Sequence, residues 1–184
     1  PPGAGKTAAV RALAEAVHDH DDDFVELNVS DFFDRTKAEI RDDPRFEGFL
    51  QGKVSWTKAA DRTTKYKRDW AKRDMINHVL TEFASYAPVS GSYKTILLDN
   101  AESIREDFQQ ALRRVMERHH ETTQFVLATR QPTKLIPAIR SRCFPVPMPA
   151  PEKAAVRSVL ADIADAEGVP HDEEGLGYVA AYAD

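Results

Sequence analysis

One cysteine, Cys143, is all that the 184-residue chain contains, and a single thiol excludes both an internal disulfide and a cysteine-rich metal centre. Long apolar runs are missing too. None approaches the roughly 18 residues that a membrane-spanning helix needs, and no stretch has the plan of a signal peptide. These absences predict a soluble intracellular protein in a reducing compartment, with no membrane partner. A large charge of one sign is likewise absent: 25 Lys and Arg stand against 30 Asp and Glu, a net −5. That balance argues against indiscriminate nucleic-acid binding and leaves room for a local basic face. Internal repeats and long low-complexity segments are absent as well. What remains, 42% hydrophobic and 30% charged residues, suits one α/β domain plus part of a second, long enough to bury a core.

A more pointed absence lies in the stretch TILLDNAE, residues 95–102. A β-branched and aliphatic run ending in Asp99 has the look of a buried parallel strand that delivers a carboxylate to a metal ion. The residue after it, where a nucleotide hydrolase carries a catalytic glutamate, is Asn100. Asparagine hydrogen-bonds water but cannot take its proton, and loss of a general base costs about 10²- to 10⁴-fold in rate. Glu102 is the nearest substitute. Two residues past the strand end, its side chain is expected to point away from the reacting phosphate unless the turn is unusual.

The chain opens on PPGAGKT. In the phosphate-loop pattern G-x-x-x-x-G-K-[ST], the first glycine would stand one position ahead of Pro1, so the chain is expected to be an interior piece of a longer protein. Pro2, Gly3, Ala4 and Gly5 form the loop whose amides approach phosphate oxygens. Lys6 supplies a point charge to the β and γ phosphates, and Thr7 offers its hydroxyl to magnesium. The alanine-rich helix after it aims the positive end of its dipole at the same anions.

Short apolar runs at 24–28, 95–99 and 124–129 read as strands, with a weaker one at 143–148 broken by proline. Helical periodicity covers 7–18, 69–86, 105–119 and 152–166, the last closed by Gly168 and Pro170. The alternation predicts an α/β fold, a parallel sheet flanked by helices, with ligands at the carboxyl ends of the strands, where Asp99 and Thr129 lie. Four prolines between Pro145 and Pro151 mark a hinge. The expected domains are a nucleotide-binding domain over 1–148, lacking its amino-terminal part, and the truncated start of a small helical lid over 149–184.

Taken in order, PPGAGKT, VELNVSD, TILLDNAES, FQQALRRVMER and IPAIRSRC resemble the small subunits of archaeal and eukaryotic replication factor C, the clamp loader of the AAA+ ATPases. The resemblance covers nearly the whole chain, and LN-x-SD, ALRR-x-ME and SRC are its most specific parts. It implies a P-loop AAA+ fold, ATP and magnesium as cofactors, and membership of a hetero-oligomer, a pentamer, that opens a sliding clamp and places it on primer-template DNA. By the same resemblance Lys6 and Thr7 contact phosphate and magnesium, and Asp99 serves the magnesium. Arg142 of SRC is an arginine finger that reaches the ATP of an adjacent subunit. Such a finger is worth roughly three to five orders of magnitude in rate in well-studied cases.

Two departures from the family pattern change both water-handling positions: Asn100 replaces glutamate, and Arg130 replaces asparagine beyond the next strand. Own-site hydrolysis is therefore expected to be slow or absent, with Arg130 free to pair with a phosphate of a retained nucleotide. The alternative reading is an AAA+ ATPase that cleaves ATP at its own site in another replication or recombination role. A third, a subunit that binds no nucleotide, is disfavoured by the intact Gly5, Lys6 and Thr7.

Residues 32–93 look like an insertion relative to the family. Within it Arg62, Lys65, Lys67, Arg68, Lys72 and Arg73 alternate with Tyr66 and Trp70, a composition that suits a DNA backbone and stacked bases. Asp61, Asp69 and Asp74 dilute the patch and favour a solvated helix face. HDHDDD, residues 18–23, reads as a solvated turn. His119 and His120 close a helix, where a partly charged imidazole favours the dipole. The resemblance implies that Arg113 and Arg114 face neighbouring subunits and the DNA-bearing interior, and ordinary helix neighbours, Glu117 and Gln110, explain them almost as well.

Overall fold

The computed structural model describes residues 3–44, 46 and 72–182, without the Arg73 side chain. The chain divides into two compact units: one holds Ala9–Phe144, the other the residues up to Ala8 together with Pro145–Asp184.

The larger unit is built on three parallel strands in the order β1 (Phe24–Asn28), β2 (Lys94–Asp99), β3 (Thr123–Leu127). Phe24 pairs with Thr95 and Asn28 with Asp99, while Lys94 pairs with Thr123 and Leu98 with Leu127. β2 is central and buried along almost its whole length, as expected of a strand covered on both faces. Ile96 and Leu98 enter the main core, and Leu97, of opposite parity, is equally buried.

Helix α1 (Lys6–Val17) precedes β1. Asn28 ends β1 and caps α2 (Val29–Asp34) by accepting the Ser30 amide at 3.1 Å. Thr36 and Glu39 form a reciprocal capping box at the start of α3 (Lys37–Arg41). α4 (Lys72–Ser85) buries Met75, Ile76, Val79 and Leu80, and α5 (Glu106–His119) buries Phe108, Leu112 and Val115. Both patterns match the helical period, and the two helices pack on each other. Phe32, Phe33, Phe46, Phe83 and Phe108 meet edge to face, with Phe33 and Phe108 centred 4.6 Å apart. Such pairs add about 0.5–1.5 kcal/mol each beyond burial. The short α6 (Pro137–Arg140) starts on a proline, whose missing N–H costs nothing at that position.

The amino-terminal edge of the sheet is tied down by buried polar groups. Asp23 is fully buried and accepts the Val89 amide at 2.6 Å and both the amide and hydroxyl of Ser90 at 2.7 Å. Lys94 Nζ donates to the Tyr86 carbonyl at 2.6 Å, and Thr123 Oγ1 to that of Ala84 at 3.0 Å. Burial opposes ionisation of Asp23, but the bonds from Ser90 and Val89 and the nearby His18 hold its pKa below the ordinary carboxylate value. The expected solvated turn at 18–23 holds for Asp19, His20, Asp21 and Asp22, which are exposed, and fails at Asp23, which is a buried anchor. His119 is corrected too. Burial, then Arg118 and Lys94, lowers its pKa, so the helix end carries a neutral imidazole.

In the smaller unit α7 (Lys153–Ala166) ends in a Schellman motif. Gly168 takes φ +66°, Val169 N–H donates to the Ala164 carbonyl at 2.8 Å and Gly168 N–H to that of Asp165 at 3.2 Å. α8 (Glu173–Tyr182) comes next and packs against α7. The weak strand expected at 143–148 does not form, because prolines at 145 and 147 remove the donors that a ladder needs. No helix of the described residues is long and apolar enough to cross a membrane.

Candidate functional site

The glycine turn ahead of α1 has the backbone that a phosphate loop requires. Gly3 and Gly5 take φ +71° and +75°, the left-handed region where a Cβ is strained. A Cβ on Gly5 would meet nothing within 4 Å, so the demand at that position is conformational and not one of space. α1 begins directly at Lys6, with Thr7 in its first turn. The positive end of the helix dipole faces that turn, a place in a fold where anions are favoured in general. Pro2 lies outside the described residues.

The second group forms at the carboxyl edge of the sheet. The exits of β2 and β3 run side by side, since Ala128 N–H donates to the Leu98 carbonyl at 3.0 Å and Ala101 N–H to that of Ala128 at 2.9 Å. Asp99, Asn100 and Arg130 are thus brought to one rim. Asp99 Oδ1 accepts the Asn100 amide at 2.9 Å. Asn100 sits at φ 55°, ψ 43°, a left-handed conformation that asparagine tolerates and most other residues do not. Its side-chain amide donates to Asn28 Oδ1 at 3.2 Å, tying residue 100 to the cap of α2.

The left-handed residue turns the chain sharply. Ala101–Ser103 form a single 3-10 turn, and Glu102 swings inward until its side chain is only 6% exposed. Its carboxylate accepts Thr129 Oγ1 at 2.8 Å, the Arg130 amide at 3.2 Å and Arg130 Nε at 2.9 Å. Burial alone would raise its pKa; the bonds from Arg130, its own amide and Thr129 outweigh that and bring it down to about 2. The sequence missed this cluster. Glu102, expected to point away from the reacting phosphate unless the turn is unusual, follows a left-handed residue and turns toward the two residues that close the neighbouring strand. Arg130, expected to be available to phosphate, is engaged through Nε with Glu102 and is half exposed.

Arg142 belongs to a different cluster, at the junction of α5 and α6. One terminal nitrogen donates to the Ala138 carbonyl at 2.7 Å, and the other pairs with Glu117 Oε1 at 2.5 Å. Glu117 also meets Arg113 at 3.8 Å, the i, i+4 pair read from the sequence. Gln109, which the sequence reading passed over, is 2% exposed and staples α5 to the segment before α6. Its Nε2 donates to the carbonyls of Ile104 and Lys134 at 2.8 and 3.0 Å, and its Oε1 accepts the Ile136 amide at 2.7 Å. A glutamine in a helix otherwise apolar on that face was the available signal.

Of the basic candidates, Lys72 donates Nζ to the Phe33 carbonyl, a bond internal to the fold. Arg62, Lys65, Lys67, Arg68 and the Arg73 side chain lie outside the described residues, as do Tyr66 and Trp70.

A family model described as DNA polymerase III, delta subunit, matches residues 52–152, more than half of the chain. The chain therefore belongs to that family. Curated relatives include replication factor C subunits: a replication factor C small subunit of Archaeoglobus fulgidus is 31% identical over 96% of this chain and 44% of its own length. A probable replication factor C subunit 2 of Dictyostelium discoideum is 30% identical over 97% of this chain and 43% of its own. The chain thus spans less than half the length of these relatives. Among solved structures, a DNA polymerase III gamma subunit-related protein of Thermotoga maritima aligns with 95% of this chain and 56% of its own at a TM-score of 0.43 and 17% identity.

Proposed function

We infer that the chain is a subunit of a DNA sliding-clamp loader that binds ATP with magnesium, cleaves it weakly or not at all, and lends Arg142 to the ATP site of a neighbouring subunit. The partners are the other subunits of a hetero-oligomer, the sliding clamp and primer-template DNA. Family membership supports the clamp-loader role. One observation carries the division between binding and cleavage: the rim that would handle the attacking water holds Asn100, which accepts no proton, while the nearest carboxylate, Glu102, is buried and held by Thr129 and Arg130. A base held near pKa 2 has little drive to take a proton from water at neutral pH.

The residues fit the cofactor. Two left-handed glycines and a helix start at Lys6 suit a polyphosphate. Thr7, in the first turn of α1, and Asp99, at the end of β2, each offer an oxygen of the kind magnesium takes, and the ion when bound would neutralise phosphate charge. Arg130 is half exposed and bonds Glu102 through Nε, so its pairing with a retained phosphate would compete with, or add to, that ion pair. Arg142 supplies positive charge where it develops in the neighbour's phosphoryl transfer.

Single-turnover loading of the complete assembled protein with labelled ATP tests this reading. After the neighbouring sites have turned over, the nucleotide retained by this subunit, identified as the fraction lost with Lys6→Ala, is expected to be intact ATP. Recovery of that fraction as ADP would support the other reading, an ATPase that cleaves at its own site.

A further inference from the structure

Arg142 is not free in the subunit by itself. Its guanidinium reaches a backbone carbonyl, Ala138 O at 2.7 Å, in the short helix just before it, the adjacent Ser141 Oγ at 3.4 Å, and a side-chain carboxylate, Glu117 Oε1 at 2.5 Å, which belongs to α5. The carbonyl is fixed by the fold. The carboxylate is exchangeable, because the side chains of Arg142 and Glu117 are 38% and 40% exposed, and ion pairs that wet are weak. Arg113 reaches the same carboxylate at 3.8 Å, so Glu117 keeps a partner when Arg142 leaves.

From this geometry we propose that Glu117 is a positioning residue for Arg142. It holds the guanidinium at the α5–α6 junction until a polyphosphate on a neighbouring subunit takes its place. A polyphosphate carries several negative charges against the single one of Glu117, so it wins the exchange once presented, and the Ala138 carbonyl keeps the guanidinium aimed throughout. Without such an anion Glu117 keeps the charge neutralised, which makes engagement of the neighbour depend on its nucleotide. The inference rests on the reading of Arg142 as a trans-acting group.

The test uses the complete chain titrated into its neighbouring subunits, with ATP or ADP, reading both the concentration for half-maximal assembly and the turnover rate. Glu117→Gln keeps the shape of the side chain and removes its charge. It is expected to lower the half-assembly concentration by about two- to fivefold, the range that a half-exposed pair supports, and to do so with ADP as well as ATP, narrowing the difference between them. Placed on Arg142→Ala, the same substitution is expected to change nothing, and the melting temperature is expected to stay within error throughout. A Glu117→Gln effect that persists on Arg142→Ala would assign it to Arg113 and overturn the proposal, as would unchanged or weakened assembly. If Arg142→Ala itself leaves turnover intact, the trans-acting reading fails first and takes this inference with it.

Discussion

At the scale of single residues, Glu102 shows how hydrogen bonds can keep a buried carboxylate ionised. Its pKa of about 2, against 4.5 for an ordinary glutamate, has a definite sign for stability. The folded state binds the proton less well than the unfolded chain, so the stabilisation is complete above about pH 4.5 and is lost as pH falls toward 2. It amounts to about 2–3 kcal/mol. Urea midpoints taken between pH 7 and pH 2 are expected to fall steeply over that window, and Glu102→Gln is expected to flatten the fall while lowering the midpoint at pH 7. An unchanged pH profile would mean that the carboxylate is not held by Arg130 and Thr129 in solution. Asn100 makes a second residue-level prediction. At φ 55° a β-branched side chain is strained, so Asn100→Val is expected to cost about 1–3 kcal/mol while Asn100→Gly is nearly neutral, measured by thermal or urea unfolding.

At the scale of elements, the joints between helices and strands carry the specificity. Gln109 joins α5 to the segment ahead of α6 through two bonds of its buried amide, to Lys134 and Ile136, and makes a third to Ile104 just before α5. Gln109→Leu keeps the volume and orphans an amide and two carbonyls, so it is expected to destabilise by about 2–4 kcal/mol. Because the junction also carries Arg142, lost trans activity should accompany lost stability in that variant. Much at this scale was legible in the sequence. β1 and β2 announced themselves as short β-branched runs, the helix ends at Gly168 and Pro170 came from turn chemistry, and LN-x-SD became a strand end whose asparagine caps a helix. The inward swing of Glu102 was not legible. It depends on a left-handed residue at 100 and a 3-10 turn after it, and neither leaves a periodic trace. Nor was the burial of Asp23, since its partners Val89 and Ser90 lie far along the chain and no local pattern points to them. The proline-broken run at 143–148 misled for the opposite reason: apolar content suggested a strand that the missing donors forbid.

At the scale of the whole molecule, the proposed function separates the retained and altered groups by whose site they would serve. On that proposal the glycine turn, Lys6, Thr7 and Asp99 would serve nucleotide held on this chain, Asn100, Glu102 and Arg130 would quiet its hydrolysis, and Arg142 would serve the neighbour. That division is the central claim. It is tested most directly by the ATP turnover of the complete assembled loader with clamp and primed DNA, comparing the unmodified protein with Lys6→Ala and Arg142→Ala. The account predicts that Arg142→Ala removes one neighbouring site's share of turnover, with a loss of about 10³-fold or more at that site, while Lys6→Ala removes little. The opposite result, a full site's share lost with Lys6→Ala and little lost with Arg142→Ala, would contradict it.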